Sequence, residues 1–247
     1  FIISIYDEIN NTHPTLRFFY QITVSFLCLP LFNFPIFEII PAKLEFLLII
    51  YFITLVVNIN NFIDGSDGVM GVISIHLYLG IVIISLINNT FYPATLVAII
   101  TFFLILSFLI FNFPPARIFM GDTGSVPLGF INAYLIIFLF QINEFIVGII
   151  FFLYPLIDIN LTFIRKIKSG IAPWARLFDY YYLAPTIIKN KPHQFTLNKI
   201  VLISFTNLFL GILYFKYKFL TIFFIAIFIN LALVKHFATF RSNKKIF

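Results

Sequence analysis

An all-α, polytopic membrane protein is the fold class that the sequence predicts, on three observations. Of its 247 residues 61% are hydrophobic and only 11% are charged, and the mean hydropathy is +1.04. Uncharged runs such as Phe18 to Phe37 match the roughly 20 residues that cross a bilayer as a helix. These runs are continuous and do not alternate every second residue, which argues against a β-barrel. A soluble core of this length would not contain so much apolar sequence.

Uncharged stretches place about eight crossings, near 17–37, 44–60, 69–87, 94–113, 124–141, 145–163, 198–215 and 219–235. The long run 68–116 is divided by Asn88-Asn89-Thr90 and Pro93. Eight crossings put both ends of the chain on one side. The breaks that hold Asp64/Asp67 and Arg117/Asp122, and the loop 164–197, join them there. Of the 16 Lys and Arg residues only Lys43, Lys216 and Lys218 fall on the opposite side, which leaves 16 − 3 = 13 on the first. By the positive-inside rule that face is cytoplasmic. The net charge of +6 therefore expresses topology and calls for no nucleic-acid partner, although the basic loop can attract anionic lipid or a phosphorylated substrate.

The whole chain, 1–247, reads as one integral-membrane domain. It opens Phe-Ile-Ile-Ser-Ile-Tyr as though leaving a preceding helix, so a fragment lacking N-terminal spans is expected. Its single cysteine, Cys28, lies inside a predicted span and forms no intrachain disulfide.

Carboxylates gather on the basic face, where seven of the ten fall: Asp7, Glu8, Asp64, Asp67, Asp122, Asp158 and Asp179. Acids at a membrane interface are costly unless paired, coordinated or hydrated, so a metal and phosphates are the ligands to expect. The sharpest patch is Asn58-Ile59-Asn60-Asn61-Phe62-Ile63-Asp64-Gly65-Ser66-Asp67-Gly68, with two Asp-Gly pairs three residues apart. On a helical end that spacing turns Asn61, Asp64 and Asp67 toward one face, and the glycines allow close backbone approach by a ligand.

A second patch runs from Asn112 through Arg117, Phe119, Gly121, Asp122 and Gly124. It offers an acid between glycines, free N–H donors at a helix start that can hold phosphate oxygens, and an aromatic ring that could stack on a base. Third is the adjacent pair Asp7-Glu8, whose mutual repulsion is most simply relieved by a divalent cation. Fourth, Asp158 near the end of a span either pairs with Arg165 or helps to position the site.

With these blocks in this order, the chain resembles the polyprenyl-phosphate N-acetylhexosamine-1-phosphate transferases of glycosyl transferase family 4. The resemblance rests on Asp7-Glu8 through Pro14 and Arg17, on Asn58 to Gly71, and on Asn112 to Gly129. It implies transfer of a sugar 1-phosphate from a UDP-N-acetylhexosamine to a polyprenyl phosphate such as undecaprenyl phosphate, with release of UMP. It further implies a Mg²⁺ cofactor, with Mn²⁺ as a substitute, at the cytoplasmic side of a bacterial inner membrane. A homodimer is among the assemblies open to such a protein.

Carried over position by position, Asp122 is the principal metal ligand, joined by Asp7 and Glu8, and Asp7 lies by the lipid phosphate. Asp7, Asp64 and Asp122 form the catalytic set. Asn61, Gly65, Asp67, Asn112 and Phe119 bind the nucleotide sugar, with Phe119 stacking on the uracil ring. Two departures stand out. The acidic pair is Asp-Glu where the family has Asp-Asp, and the family's His-rich motif is absent from 175–183, which leaves His193 with Arg176 as the nearest substitute. The changed loop points away from a muramoyl-pentapeptide donor and toward a GlcNAc-like sugar for O-antigen or related envelope polysaccharide.

The rival classes are a transporter and an inactive family member serving as a scaffold. A secondary transporter would place its acids near the bilayer midplane within an internal repeat, and no repeat is apparent here. The scaffold reading keeps the fold and gives up the chemistry.

Overall fold

A computed structural model describes residue 5, residues 14–172 and residues 179–241. The described residues are 79% helical, and there is no strand among them. The helices are α1 (Pro14–Leu27), α2 (Ala42–Ile63), α3 (Val69–Ile87), α4 (Pro93–Asn112) and α5 (Gly121–Gln141). They continue with α6 (Phe145–Phe151), α7 (Leu153–Lys168), the short α8 (Ala184–Lys189), α9 (His193–Tyr217) and α10 (Leu220–Ala238). Six of them, α2 to α5, α9 and α10, are long and apolar enough to span a bilayer, and α6 with α7 makes a seventh if the bent pair is one span. The polytopic helical class expected from composition is what the chain adopts.

The count of about eight differs at α1. The expected span 17–37 stops being α-helical after Leu27, and a 3-10 turn, Leu29–Leu31, follows. Pro30 and Pro35 lack the N–H that would continue the ladder, and each restricts the residue before it.

The bend between α6 and α7 measures 70° and has an identifiable cause. Pro155 cannot donate to the carbonyl of Phe151 four residues back, so that acceptor is released. His76 of α3 satisfies it, with Nε2 2.5 Å from the Phe151 oxygen. A histidine buried in an apolar helix thus completes a broken backbone ladder.

Enclosure differs sharply among the spans. In α3 67% of the span is buried by the rest of the protein, against 22% in α10 and 28% in α4. The bundle is therefore built around α3, with α2 and α5 beside it, while α4 and α10 present rows of exposed residues such as Phe103, Leu104 and Ile110, or Phe224 and Phe228. In a bilayer that face meets lipid and carries no desolvation cost.

Between α2 and α5 the backbones approach closely. A Cβ at Gly129 would stand 2.8 Å from the Val57 Cα, so only glycine fits there. Directly alongside, Asn132 Nδ2 donates to Asn60 Oδ1 at 2.9 Å and to Ser74 Oγ at 3.1 Å, and the Tyr78 hydroxyl donates to Asn132 Oδ1 at 2.8 Å. This buried amide network ties α2, α3 and α5 into one block. Small residues and interhelical hydrogen bonds are what hold helices together where lipid supplies no hydrophobic drive. Asn207 and Asn230 exchange a reciprocal pair of amide bonds that joins α9 to α10 in the same way.

Candidate active site

One end of the bundle carries the chemistry-bearing turns. Helix α2 ends at Ile63, and the segment Asp64-Gly65-Ser66-Asp67-Gly68 reverses the chain into α3. Gly68 has φ +73°, a left-handed conformation that a side chain disfavours. On the neighbouring helix pair, α4 ends at Asn112 before Pro114-Pro115, and α5 begins at Gly121-Asp122. The two turns are stitched together. The Gly68 N–H donates to Asn112 Oδ1 at 2.9 Å, Asn112 Nδ2 donates to the Ile118 carbonyl at 2.8 Å, and the Ala116 N–H donates to Asp67 Oδ2 at 3.0 Å.

Between the turns lies a cleft of about 410 Å³. Asn61, Asp64, Gly65, Asp67, Asn112, Phe119, Asp122 and His193, eight of the residues singled out in the sequence, line it, together with Phe62, Ser66, Met120, Gly121 and Tyr180. Asp7, Glu8 and Arg176 lie outside the described residues. Among the described residues no three of His, Cys, Asp or Glu converge closely enough to hold a metal. Asn112 reaches the cleft with its amide engaged by the protein on both atoms, so it braces the two turns.

Asp122 is held from two sides. Asn61 Nδ2 donates to its Oδ1 at 2.8 Å, and Arg17 Nη1 meets its Oδ2 at 3.0 Å. Asn61 is fixed in turn by a 3.0 Å bond to Ser125 Oγ. Asp64 is in a different state. No donor to its carboxylate is found among the described residues, and burial, with the nearby Asp122 charge second, pushes its carboxyl up to about 8. Among the described residues no cation pairs with it.

Arg17, which the sequence reading left without a role, owes its place to a polar stripe on α1. Arg17, Gln21 and Ser25 stand four residues apart and so share one face. Gln21 accepts from Asn58 Nδ2 at 2.6 Å, Ser25 Oγ lies 3.1 Å from Thr54 Oγ1, and the same face delivers the guanidinium to Asp122. That spacing was the available signal.

Tyr180 and His193 supply the remaining wall. Asp158 is fully buried in α7 and accepts from the Tyr154 hydroxyl at 2.9 Å and from the backbone N–H groups of Tyr181 and Tyr182 at 3.1 and 3.0 Å. Of the two roles open to Asp158, it takes the positioning one. Arg165 bonds Asp179 instead, at 2.7 Å, in a cluster with Lys166 and Arg241. Tyr182, pinned by Asp158, sends its hydroxyl to the end of α2. It receives the Gly65 N–H and donates to the Phe62 carbonyl, both at 2.9 Å. Burial raises this phenol well above its ordinary range, so it acts as a neutral hydrogen-bonding group. No sign of this is legible in the sequence, because both of its partners are main-chain atoms.

Comparison with known proteins agrees with this architecture. Residues 1–140 match the family model described as Glycosyl transferase family 4. The chain is 33% identical over 121 residues to a phospho-N-acetylmuramoyl-pentapeptide-transferase of Fervidobacterium nodosum, covering 48% of this chain and 38% of that protein. It is 29% identical over 140 residues to a decaprenyl-phosphate N-acetylglucosaminephosphotransferase of Mycolicibacterium smegmatis, covering 48% and 34%. It is 27% identical over 185 residues to a probable undecaprenyl-phosphate N-acetylglucosaminyl 1-phosphate transferase of Bacillus subtilis, covering 68% and 50%. The matches span between one third and one half of the length of these relatives. With the family model covering more than half of its residues, this multi-pass helical membrane protein belongs to glycosyl transferase family 4.

Proposed function

We propose that the chain transfers an N-acetylhexosamine 1-phosphate, GlcNAc-like, from its UDP-sugar to a polyprenyl phosphate such as undecaprenyl phosphate, releasing UMP. The observation that carries this reading is the cleft itself. Asn61, Asp64, Asp67, Asp122 and an exposed Phe119 ring meet at one end of a membrane bundle, where a soluble nucleotide sugar and a lipid phosphate can both arrive. The family and the named activities of the relatives support it.

In chemical terms, an oxygen of the acceptor phosphate bonds to the sugar-linked phosphorus. The bridge to the uridine phosphate breaks, and its electron pair leaves on UMP. A lipid phosphate is already anionic at neutral pH, so the chain's task is positioning more than proton removal. Phe119 stacks on the uracil ring at the mouth of the cleft, where it is 74% exposed. Arg17 and Asn61 fix the orientation of Asp122.

Mg²⁺ suits the donor set. Asp64 and Asp122 offer hard oxygen donors to the same cleft. These two would hold the ion, and it would neutralise charge on the phosphates. In this reading the cleft faces the cytoplasm at a bacterial inner membrane, and the excess of Lys and Arg on that side of the sequence supports the orientation. An envelope polysaccharide is the product line such a step would begin.

The test is a membrane assay with a panel of UDP-N-acetylhexosamines and undecaprenyl phosphate, with and without Mg²⁺. Metal-dependent UMP release with one donor is expected, and no release with any donor contradicts the proposal.

A further inference from the structure

His193 opens α9, and its Nδ1 is met by two groups of the 64–68 turn. Ser66 Oγ lies 2.9 Å away, and the Asp67 backbone N–H donates at 3.2 Å. A backbone N–H can only donate, so the nitrogen that receives it carries a lone pair, and the neutral ring then holds its proton on Nε2. Asp67 Oδ1, which would favour a proton on Nδ1, is more distant at 3.4 Å, and the other oxygen of that carboxylate is taken by the Ala116 N–H. Ser66 is buried, and its Oγ lies within hydrogen-bond distance of the same nitrogen, where it can donate once Nδ1 carries the lone pair. Nε2 has no protein partner among the described residues, and the side chain lines the cleft with 38% of its surface exposed.

We infer that His193 serves the cleft as a hydrogen-bond donor through Nε2–H to an anionic oxygen of the ligand, and not as a general base. Ser66 and the Asp67 main chain are the positioning groups that fix this tautomer. The identity of that oxygen as a phosphate oxygen rests on the transferase reading, whereas the tautomer rests on geometry alone. A base at this position would need its free lone pair turned to the substrate, and here the lone pair is spent on the turn. A phosphate that arrives already ionised is better served by a donor.

The experiment is nitrogen NMR of the purified protein, histidine-labelled with ¹⁵N, in lipid nanodiscs at neutral pH. His193→Gln assigns the signal by removing it. The expected spectrum shows a protonated Nε2 and an unprotonated Nδ1, with the Nε2–H resonance shifting on addition of UMP or inorganic phosphate. Ser66→Ala should broaden or move the Nδ1 signal. A protonated Nδ1, or an Nε2–H indifferent to both anions, overturns the inference.

In the UMP-release assay His193→Ala should lose about tenfold to a hundredfold, the worth of a hydrogen bond to a charged group. His193→Gln, which keeps an N–H at similar reach, should recover most of it. A glutamine variant as slow as the alanine variant also overturns the inference. If no donor yields UMP, the transferase reading falls, and the spectrum alone decides the role of His193.

Discussion

Arg17 stands on the polar stripe of α1, and its guanidinium meets an acid 105 positions away in the chain. Single residues of this kind set what the cleft can do, and the argument for each is local. Phe119 projects 74% exposed beside Asp122, with no side-chain role in the core, so its truncation should act on ligand binding. Phe119→Ala is expected to raise the KM for the nucleotide sugar about tenfold, within the range of a lost base–aromatic stack, and to leave kcat within a few-fold. Steady-state kinetics on the isolated membranes checks this, and an unchanged KM contradicts it. Tyr182→Phe removes only the hydroxyl that joins Phe62 and Gly65. It should lower stability by about 0.5–1.5 kcal/mol, since two part-buried main-chain groups lose their partner. Thermal unfolding in detergent measures it. The acids Asp64, Asp67 and Asp122 were legible in the sequence because polar residues are conspicuous in so apolar a chain. Tyr182 was not, since a loop tyrosine near a membrane resembles any interfacial aromatic, and the main-chain atoms it binds leave no mark on composition.

At the scale of elements, the site depends on how α2 and α5 meet. Asn61 and Asp64 end one helix, Asp122 begins the other, and the two come into register where Gly129 faces Val57. The Asn60–Asn132 bond, with Ser74 and Tyr78, holds that register within the membrane. Gly129→Ala would set a methyl group 2.8 Å from the Val57 Cα, so the helices must separate. The expected cost is about 1–3 kcal/mol of stability, with a fall in turnover as the Asp122 turn shifts away from Asn61. A variant with wild-type unfolding temperature and activity would show that the close approach is dispensable. Most spans were readable from uncharged length alone, with ends within a few residues of those found. The exceptions have backbone causes. Pro30 and Pro35 cut short the first span, and Pro155 bends the α6–α7 pair, with His76 repairing the freed carbonyl. Proline marks such a break in sequence, but whether a partner such as His76 stands ready to stabilise a bend is a tertiary fact.

Taken whole, the molecule separates its two tasks by position. Helices α4 and α10 turn apolar faces outward, α3 is enclosed at the centre, and the turns that carry the acids collect at one end. On the proposed function, a lipid-borne acceptor and a water-borne donor would meet there without either crossing the bilayer. The measurement that tests this account most directly is UMP release from a UDP-N-acetylhexosamine and undecaprenyl phosphate by wild-type and Asp122→Asn protein. The comparison is made at matched membrane content. Loss of a carboxylate at the centre of the cleft should reduce turnover by at least about a hundredfold, the scale of removing one group that stabilises charge in the transition state, while insertion is unaffected. A near-normal rate in Asp122→Asn would contradict the account, because the chemistry would then lie outside the cleft.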